Sequence, residues 1–274
     1  MDSITVRQMD FHFDKDMELV FVDQDPAMSY MFLGSWMLLP YLEPYLIRSV
    51  RMAMKQVNDQ ELKEEMQRFC AQEGNHYKEH AKANEVVRLR SGAADKLQAL
   101  EDTIDAEYKR LSKEKSLRFN LAYAEGFEAM TSATSRAQFE VGFFDAMHSP
   151  IRELIEWHVL EELEHRNVAF EAYEAVSGGY FYRLFVGLWA QWHFISLSMK
   201  LAKILRDADP NTFQKYNSRS QRWLRIKRTS KYLLKALPKV LNIYMPWYSP
   251  RKFELPAVLA QVQKRYNELA TTTR

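Results

Sequence analysis

The sequence feature that most constrains the fold is a segment in which acid and imidazole side chains recur at helical spacing. The segment FCAQEGNHYKEHAKAN contains Glu73, His76, His80 and Asn84, separated by three, four and four residues. At about 100° per residue, these spacings place the four side chains on one face of an α-helix. The segment therefore predicts a helix with a carboxylate and imidazoles on successive turns of the same face.

A second segment repeats the pattern farther along the chain. In EWHVLEELEHRNVAF, the residues His158, Glu161, Glu162 and His165 again share one helical stripe. Each segment contains Glu-x-x-His, the spacing at which a carboxylate and an imidazole can reach one metal ion. One such pair would be a weak signal, because it also occurs on solvated helix faces. Two pairs, each with an additional histidine on the stripe, indicate a metal centre.

The rest of the chain also favours helices. The 274 residues include only 8 Gly and 9 Pro, and no segment alternates with period two. We predict a single all-α domain over residues 1–274: a ferritin-like four-helix bundle at about 29–206 and additional basic, aromatic C-terminal helices at about 207–274. Within it, the pattern predicts an irregular arm over 1–26 and helices over 29–54, 59–90, 95–110, 116–147, 152–176 and 180–206, with a last helix after Pro256. The first of these helices is predicted to kink or restart at Pro40 and Pro44, because proline cannot donate to the preceding turn.

Dinuclear iron or manganese sites in four-helix bundles use two Glu-x-x-His helices and one further Glu from each of two other helices. Glu43 and Glu125 supply those acids, since each lies in an otherwise apolar stretch where an unpaired carboxylate would be costly. The predicted metal ligands are Glu43, Glu73, His76, Glu125, His158, Glu162 and His165.

Several alternatives stay open within this ligand set. Glu128 competes with Glu125, and Glu161 competes with Glu162. His80 is predicted to hold a ligating carboxylate by a hydrogen bond rather than to bind metal, and Asn84 to orient a ligand or to make a packing contact. The third imidazole, His158, makes the cluster nitrogen-rich, and in this it resembles arylamine N-oxygenases.

Four blocks of sequence carry a wider family resemblance. LPYLEPYLIRSVR, FCAQEGNHYKEHAKAN, AEGFEA and WHVLEELEHRNVAFEAY, in this order, resemble the bacterial family of predicted metal-dependent hydrolases over roughly residues 32–206. The resemblance implies a ferritin-like fold and the same metal residues, with His80, His158 and Glu161 at or near the site.

Mixed Glu and His ligands suit iron, and open positions on a non-haem iron pair suit dioxygen. We therefore expect two Fe ions, with Mn as an alternative, and an oxidase or oxygenase that uses dioxygen on a hydrophobic or amphipathic small molecule. An oxygenase would also need an electron donor. The alternatives are a dinuclear metal-dependent hydrolase and an iron-binding protein without turnover.

Charge is distributed unevenly along the chain. Residues 210–253 contain eleven Lys or Arg and no acid, interleaved with aromatic residues. This pattern predicts contact with an anionic membrane surface or substrate group through Arg222, Arg225 and Lys231; the competing interpretation is a solvated face paired with the acidic remainder. No nucleic-acid-binding motif is present.

Other features bear on location. The 16 residues of 184–199 lack charge but are too few to span a bilayer, so we predict a buried core helix. A lone cysteine and an N-terminus without an apolar signal region predict a cytoplasmic protein, with membrane association and a homodimer as further expectations.

Overall fold

The computed structural model describes residues 4–148 and 150–272, and these residues contain helices and no strand. The helices are α1 (Pro26–Trp36), α2 (Leu39–Met54), α3 (Gln60–Ser91), α4 (Ala94–Glu114), α5 (Leu117–Val141), α6 (Ile151–Glu164), α7 (Val168–Val176), α8 (Tyr180–Ala208), α9 (Pro210–Lys215), α10 (Arg219–Asn242) and α11 (Leu259–Thr272). The predicted all-α bundle with additional C-terminal helices is confirmed.

Local sequence determines where the long helices begin and end. The Asp59 side chain accepts hydrogen bonds from the backbone N–H groups of Glu61 and Leu62, which caps α3 at its N-terminus. At the other end of α3, Gly92 adopts φ 67°, the left-handed conformation in which a helix commonly stops. The predicted limits of this helix are therefore confirmed.

The predicted helix over 152–176 is wrong, because the chain breaks there into α6 and α7. α6 ends at Glu164, and His165 lies at its C-cap. The Arg166 side chain then donates to the carbonyl oxygens of Leu163 and Pro250, so a carbonyl at the end of the helix is satisfied from outside it. The break turns the chain immediately after the last metal-ligand candidate.

Four helical segments surround the interior of the bundle. α2 packs on α3 and α5, and the α6–α7 segment closes the bundle against α5 and α3. α4 covers α2 from outside. One continuous hydrophobic core runs through these helices, with Trp157, Tyr45 and Phe69 among its largest fully buried side chains. The acid and imidazole stripes thus face one another across a dry interior.

The arm that precedes α1 lies along the bundle and is not a strand. Its contribution to pairing is an isolated bridge between Val22 and Met147. Farther towards the N-terminus, the arm buries Ile4, Arg7 and Phe13. Arg7 is therefore carried from an irregular segment into the interior.

α8 packs against α1 and α5 with backbones in close approach. A Cβ added at Gly126 of α5 would lie 2.3 Å from the Gly187 Cα of α8, so only glycine fits there. The prediction that 184–199 forms a buried core helix is only half correct. One face of α8 packs against α1 and α5, and the other face is exposed. Among the described residues, we find no helix with the length and apolarity needed to cross a membrane.

The Gly126–Gly187 contact yields a stability test with an internal control. Gly126→Ala should lower the free energy of unfolding by about 1–3 kcal/mol, because the new methyl group collides with backbone. At Gly74, in the middle of α3, an added Cβ meets nothing within 4 Å. Gly74→Ala should therefore stabilise the protein by about 0.5–1 kcal/mol. Denaturant titration measures both values; equal effects at the two positions would contradict the close approach of α5 and α8.

Candidate metal centre

The bundle brings buried acids and imidazoles from four helical segments into one cluster. One group consists of Glu43, Glu73 and His76, and a second of Glu73, Glu128 and His165; in each, the potential ligand atoms lie within 4.8 Å of one another. Glu73 belongs to both groups. A carboxylate shared by two ligand groups is compatible with a dinuclear centre.

Further members extend the cluster at one side. His158 forms ligand-like groups with Glu43 and His80, and with His76 and Glu162. Its Nε2 lies 3.2 Å from Glu162 Oε1, and its Nδ1 lies 3.1 Å from His80 Nε2. His158 is 7 % exposed, whereas the other histidines of the cluster are exposed by 1 % or less. His158 therefore marks the side of the cluster nearest to solvent.

His165 faces the acids of the second group. Its Nε2 lies 3.3 Å from Glu73 Oε1, 3.4 Å from Glu128 Oε2 and 3.6 Å from Glu162 Oε1. One imidazole nitrogen thus points at carboxylates from α3, α5 and α6. Such convergence of an imidazole and several carboxylates matches the ligand preferences of iron and manganese.

Many interior atoms of the cluster have no hydrogen-bond partner among the residues that the structure describes. This is true of both carboxylate oxygens of Glu43, Glu73 and Glu128, of Glu162 Oε2, and of one ring nitrogen in each of His76, His80 and His165. An unsatisfied buried polar group costs about 1–3 kcal/mol, and more when it is charged. Cations are the most direct way to stabilise this many unpaired acids and imidazoles in one place. The donor set therefore fits a pair of metal ions.

The two imidazoles of the Glu-x-x-His pairs are oriented from outside the cluster. Gln72 Nε2 donates to Thr5 O and Glu164 Oε2, so Gln72 Oε1 is the acceptor for His165 Nδ1 at 2.9 Å. With Nδ1 committed to Gln72, Nε2 is the nitrogen that faces the acids, and it would offer its lone pair to a metal ion once its own proton is displaced. Hydrogen bonding of the remote nitrogen is how proteins set the tautomer of a metal-binding histidine.

His76 is held in a corresponding way. Its Nε2 bonds to Glu161 Oε2 at 3.1 Å, and Glu161 Oε1 accepts from Arg7 at 3.0 Å and from Trp157 Nε1 at 2.9 Å. The free Nδ1 of His76 lies 3.7 Å from Glu73 Oε1. Glu161 is therefore occupied outside the cluster, whereas the adjacent Glu162 lies within it.

Protonation equilibria reflect the crowding of acids when no cation is bound. Burial raises the pKa of Glu43 well above its usual value, and the nearby Glu73 raises it further. Burial and the Glu162 carboxylate raise the pKa of Glu128 to about 8. Burial alone would lower the pKa of His76, but its hydrogen bond to Glu161 and the neighbouring Glu73 raise it to about 10. Burial and crowding thus favour the protonated form of these acids when no cation is bound, and metal binding would displace those protons.

The structure places the two acids of α5 in different environments. Glu125 Oε1 pairs with Arg183 of α8 at 2.8 Å, and Arg183 also donates to Ile243 O. Glu128, one turn later, lies in the cluster. The sequence pattern favours Glu125, but we propose Glu128 as the ligand, because Glu125 faces Arg183 where the Gly126–Gly187 contact holds α5 against α8.

The remaining predicted residues lie around the cluster or away from it. His80 bonds to the imidazole of His158 rather than to a carboxylate, which differs from the prediction. Asn84 Nδ2 donates to Met37 O and Glu101 Oε1, so it links helices outside the cluster and orients no ligand. Sequence reasoning missed Arg7 and Glu164, which pair at 2.7 Å. A lone Arg in an irregular arm gives no pattern from which burial against α6 could be inferred.

The two acids of α5 provide a matched test of the ligand set. Glu128→Gln should reduce the bound metal from about two ions per chain towards one, because an amide is a weaker ligand than a carboxylate. Glu125→Gln should retain both ions, since its partner is Arg183. Elemental analysis of the two variants measures the difference; metal loss in Glu125→Gln with full loading of Glu128→Gln would reverse the assignment.

The adjacent acids of α6 provide a second test. Glu162→Gln should remove at least one ion. Glu161→Gln should keep both ions but bind them about 10- to 100-fold more weakly, because it loosens the support of His76 without removing a ligand. Competition with a chromophoric chelator measures both affinities, and equal losses from the two variants would contradict the separate roles.

Comparison with known proteins agrees with this geometry. No curated protein and no solved structure gives a significant match to the chain. A family model described as "Predicted metal-dependent hydrolase" matches residues 5–254, a span that includes every acid and imidazole of the cluster. The chain therefore belongs to the family of predicted metal-dependent hydrolases.

Proposed function

We propose that the protein is a non-haem diiron oxidase or oxygenase that uses dioxygen on a hydrophobic or amphipathic small molecule. The observation that carries the proposal is the shared position of Glu73 in two ligand groups, each with one imidazole and further carboxylates. Glu43, Glu73 and His76 would hold one ion, and Glu73, Glu128, Glu162 and His165 the other. When bound, an Fe(II) pair would supply two electrons and positions open to dioxygen.

The protein contributes fixed ligand orientation. The outer hydrogen bonds of His76 and His165 commit one ring nitrogen of each to the interior, so little reorganisation is needed when a cation enters. His158 lies at the more exposed side of the cluster. We propose it as a third imidazole ligand, with His80 positioning it through the 3.1 Å contact.

The surroundings of the cluster are suited to excluding water. The Phe69 ring meets the His165 ring edge-on at 4.8 Å, and the Trp157 ring meets His76 in the same way at 4.8 Å. Both aromatic residues are fully buried. A dry site protects reactive oxygen species from side reactions with water and favours an apolar substrate.

The stoichiometry of oxygen insertion determines which further reactants the protein would need. Insertion of one oxygen atom consumes one dioxygen, two electrons and two protons, and releases one water. A single turnover can take both electrons from the iron pair, whereas repeated turnover requires an external two-electron donor such as a reduced flavin or iron–sulfur protein.

A dinuclear hydrolase is the second candidate, and the description of the family favours it. The same residues would then hold two ions that activate water for attack on an ester or phosphoester. The two candidates differ in whether dioxygen is consumed, so one set of preparations distinguishes them. A storage protein would show neither oxygen uptake dependent on an organic substrate nor hydrolysis.

The deciding experiment loads the protein anaerobically with Fe(II) and follows oxygen with an electrode. We expect uptake of about one dioxygen per two Fe(II), and faster uptake with oxidised product when an aromatic amine or a medium-chain fatty acid is present. The control is Glu128→Gln, which should lose this response while Glu125→Gln keeps it.

The parallel assay uses Mn- or Zn-loaded protein under nitrogen with nitrophenyl esters and phosphoesters. Turnover there, with no substrate-dependent oxygen uptake by the iron form, would overturn the oxygenase proposal in favour of the hydrolase. Iron oxidation without product from any of the organic probes would favour iron binding alone.

A further inference from the structure

α10 is a long helix that buries very little of itself. The structure describes all of its residues, and Ala236 is the one that is fully buried. Its outward face carries six large apolar side chains, each 51–76 % exposed: Trp223, Ile226, Leu233, Leu234, Leu237 and Leu241. At about 100° per residue these six fall within an arc of roughly 100°. The arc also contains the exposed Arg219 and Ser230, so the face is largely but not wholly apolar. A large exposed apolar patch of this kind on a protein surface indicates an interaction site.

α8 carries a second outward apolar stripe. Phe181, Phe185, Leu188, Trp192, Ile195 and Met199 are 50–82 % exposed and are spaced alternately by four and three residues. α8 and α10 both pack on α5. They also meet at one end, where Arg183 of α8 donates to Ile243 O and Tyr180 donates to Tyr244 O. The two stripes therefore belong to helices that are joined to each other and to the same bundle helix.

Basic residues flank the apolar stripe of α10. On the helix, Arg222 falls on one side of the stripe, and Lys227, Lys231 and Lys235 fall on the other. These four residues are exposed. A helix with an apolar stripe and basic flanks is the pattern of segments that lie in the plane of a membrane interface.

Most of this positive charge forms no ion pair with an acid among the described residues. In the described part of the chain, ion pairs involve three of the eleven basic residues of 210–253: Arg228 with Asp23, Lys239 with Glu140, and Arg251 with Glu65 and Glu171. Intramolecular pairing with the acidic remainder therefore accounts for only a minority of the basic residues.

The three basic residues that the sequence predicts to contact an anionic partner differ in their contacts within the protein. Arg222 is exposed. Arg225 donates to Tyr216 O at 3.0 Å and Lys231 to Val141 O at 2.8 Å, so each also holds the chain against itself. A test of the surface is cleaner with Arg222, Lys227 and Lys235, which are all exposed.

We propose that the face formed by the apolar stripes of α8 and α10, with the basic flanks of α10, docks on an anionic lipid surface without crossing it. Charge complementarity identifies the occupant, because phosphate headgroups attract the basic flanks while the aromatic and aliphatic side chains enter the interface. A second copy of this chain would bring like-charged flanks together, which is unfavourable. The inference does not rest on the chemistry of the metal centre.

The test is co-sedimentation of metal-free protein with vesicles of phosphatidylcholine alone or with about 30 % phosphatidylserine. We expect binding to the anionic vesicles at low salt, and loss of binding near 0.5 M salt, where screening acts over only a few ångströms (about 3 Å at 1 M). Changing Arg222, Lys227 and Lys235 to Gln should weaken binding by roughly 10- to 100-fold.

A matched control removes the same charge elsewhere. Lys78, Lys96 and Lys113 are exposed on α3 and α4, and their triple change to Gln should leave vesicle binding unaltered. Changing Trp223 and Leu234 to Gln should also weaken binding, and because both side chains are mostly exposed the fold should persist, as circular dichroism can verify.

Two results would overturn the proposal. One is equal binding by the two lysine and arginine triple variants. The other is failure of the unaltered protein to bind anionic vesicles at low salt. If light scattering then finds a dimer that the Trp223 and Leu234 changes disrupt, the face joins two copies of the chain instead. Neither result bears on the diiron proposal, because the measurement uses metal-free protein.

Discussion

The organisation of this protein depends on how buried negative charge is balanced. Some acids in the interior have a protein partner: Glu164 and Glu161 pair with Arg7, and Glu125 pairs with Arg183. Glu43 and Glu128 of the cluster are exceptions, since neither carboxylate has a hydrogen-bond partner among the described residues. Breaking a buried ion pair costs about 3–5 kcal/mol, so an acid left without a partner is costly for the apo fold. Metal binding and stability of the bundle are therefore linked.

The pairing of buried acids also connects the N-terminal arm and α11 to α6, beside the cluster. Arg7, from the N-terminal arm, reaches Glu161 and Glu164 of α6, and its Nε donates to Asn267 of α11 at 2.7 Å. Gln263 of α11 donates to Glu164 Oε1. One buried Arg thus connects an irregular arm, a bundle helix and the last helix to the acid that supports His76. Residues far apart in sequence determine the direction in which the imidazole of His76, a candidate metal ligand, points.

α5 stands between the interior and the outer face of the molecule. Its inner side presents Glu128 to the cluster, and its outer side packs against α8 and α10. The Glu125–Arg183 pair crosses from α5 to α8 and continues to the end of α10 at Ile243. A change in how α8 and α10 pack on α5 would therefore alter contacts one turn away from Glu128, a proposed ligand. This connection physically links the outer helices α8 and α10 to the turn of α5 that precedes Glu128.

The sequence by itself determined the helical class and most of the residues of the cluster. Glu-x-x-His on two segments is a local pattern, and the 3.6-residue period of a helix is enough to place its members on one face. Cap residues such as Asp59 and Gly92 act within one turn, so the limits of α3 were also predictable.

Only the tertiary structure decided what depends on how the helices are rotated against one another. The placement of Glu128 in the cluster and of Glu125 against Arg183 goes with the contact of Gly126 with Gly187, 61 residues away along the chain and without any trace in local spacing. The same applies to Arg7, whose burial depends on where the arm crosses α6, and to α8, whose uncharged stretch was predicted to be buried. Local patterns specify faces of helices; long-range packing specifies which face meets the core, a partner helix or solvent.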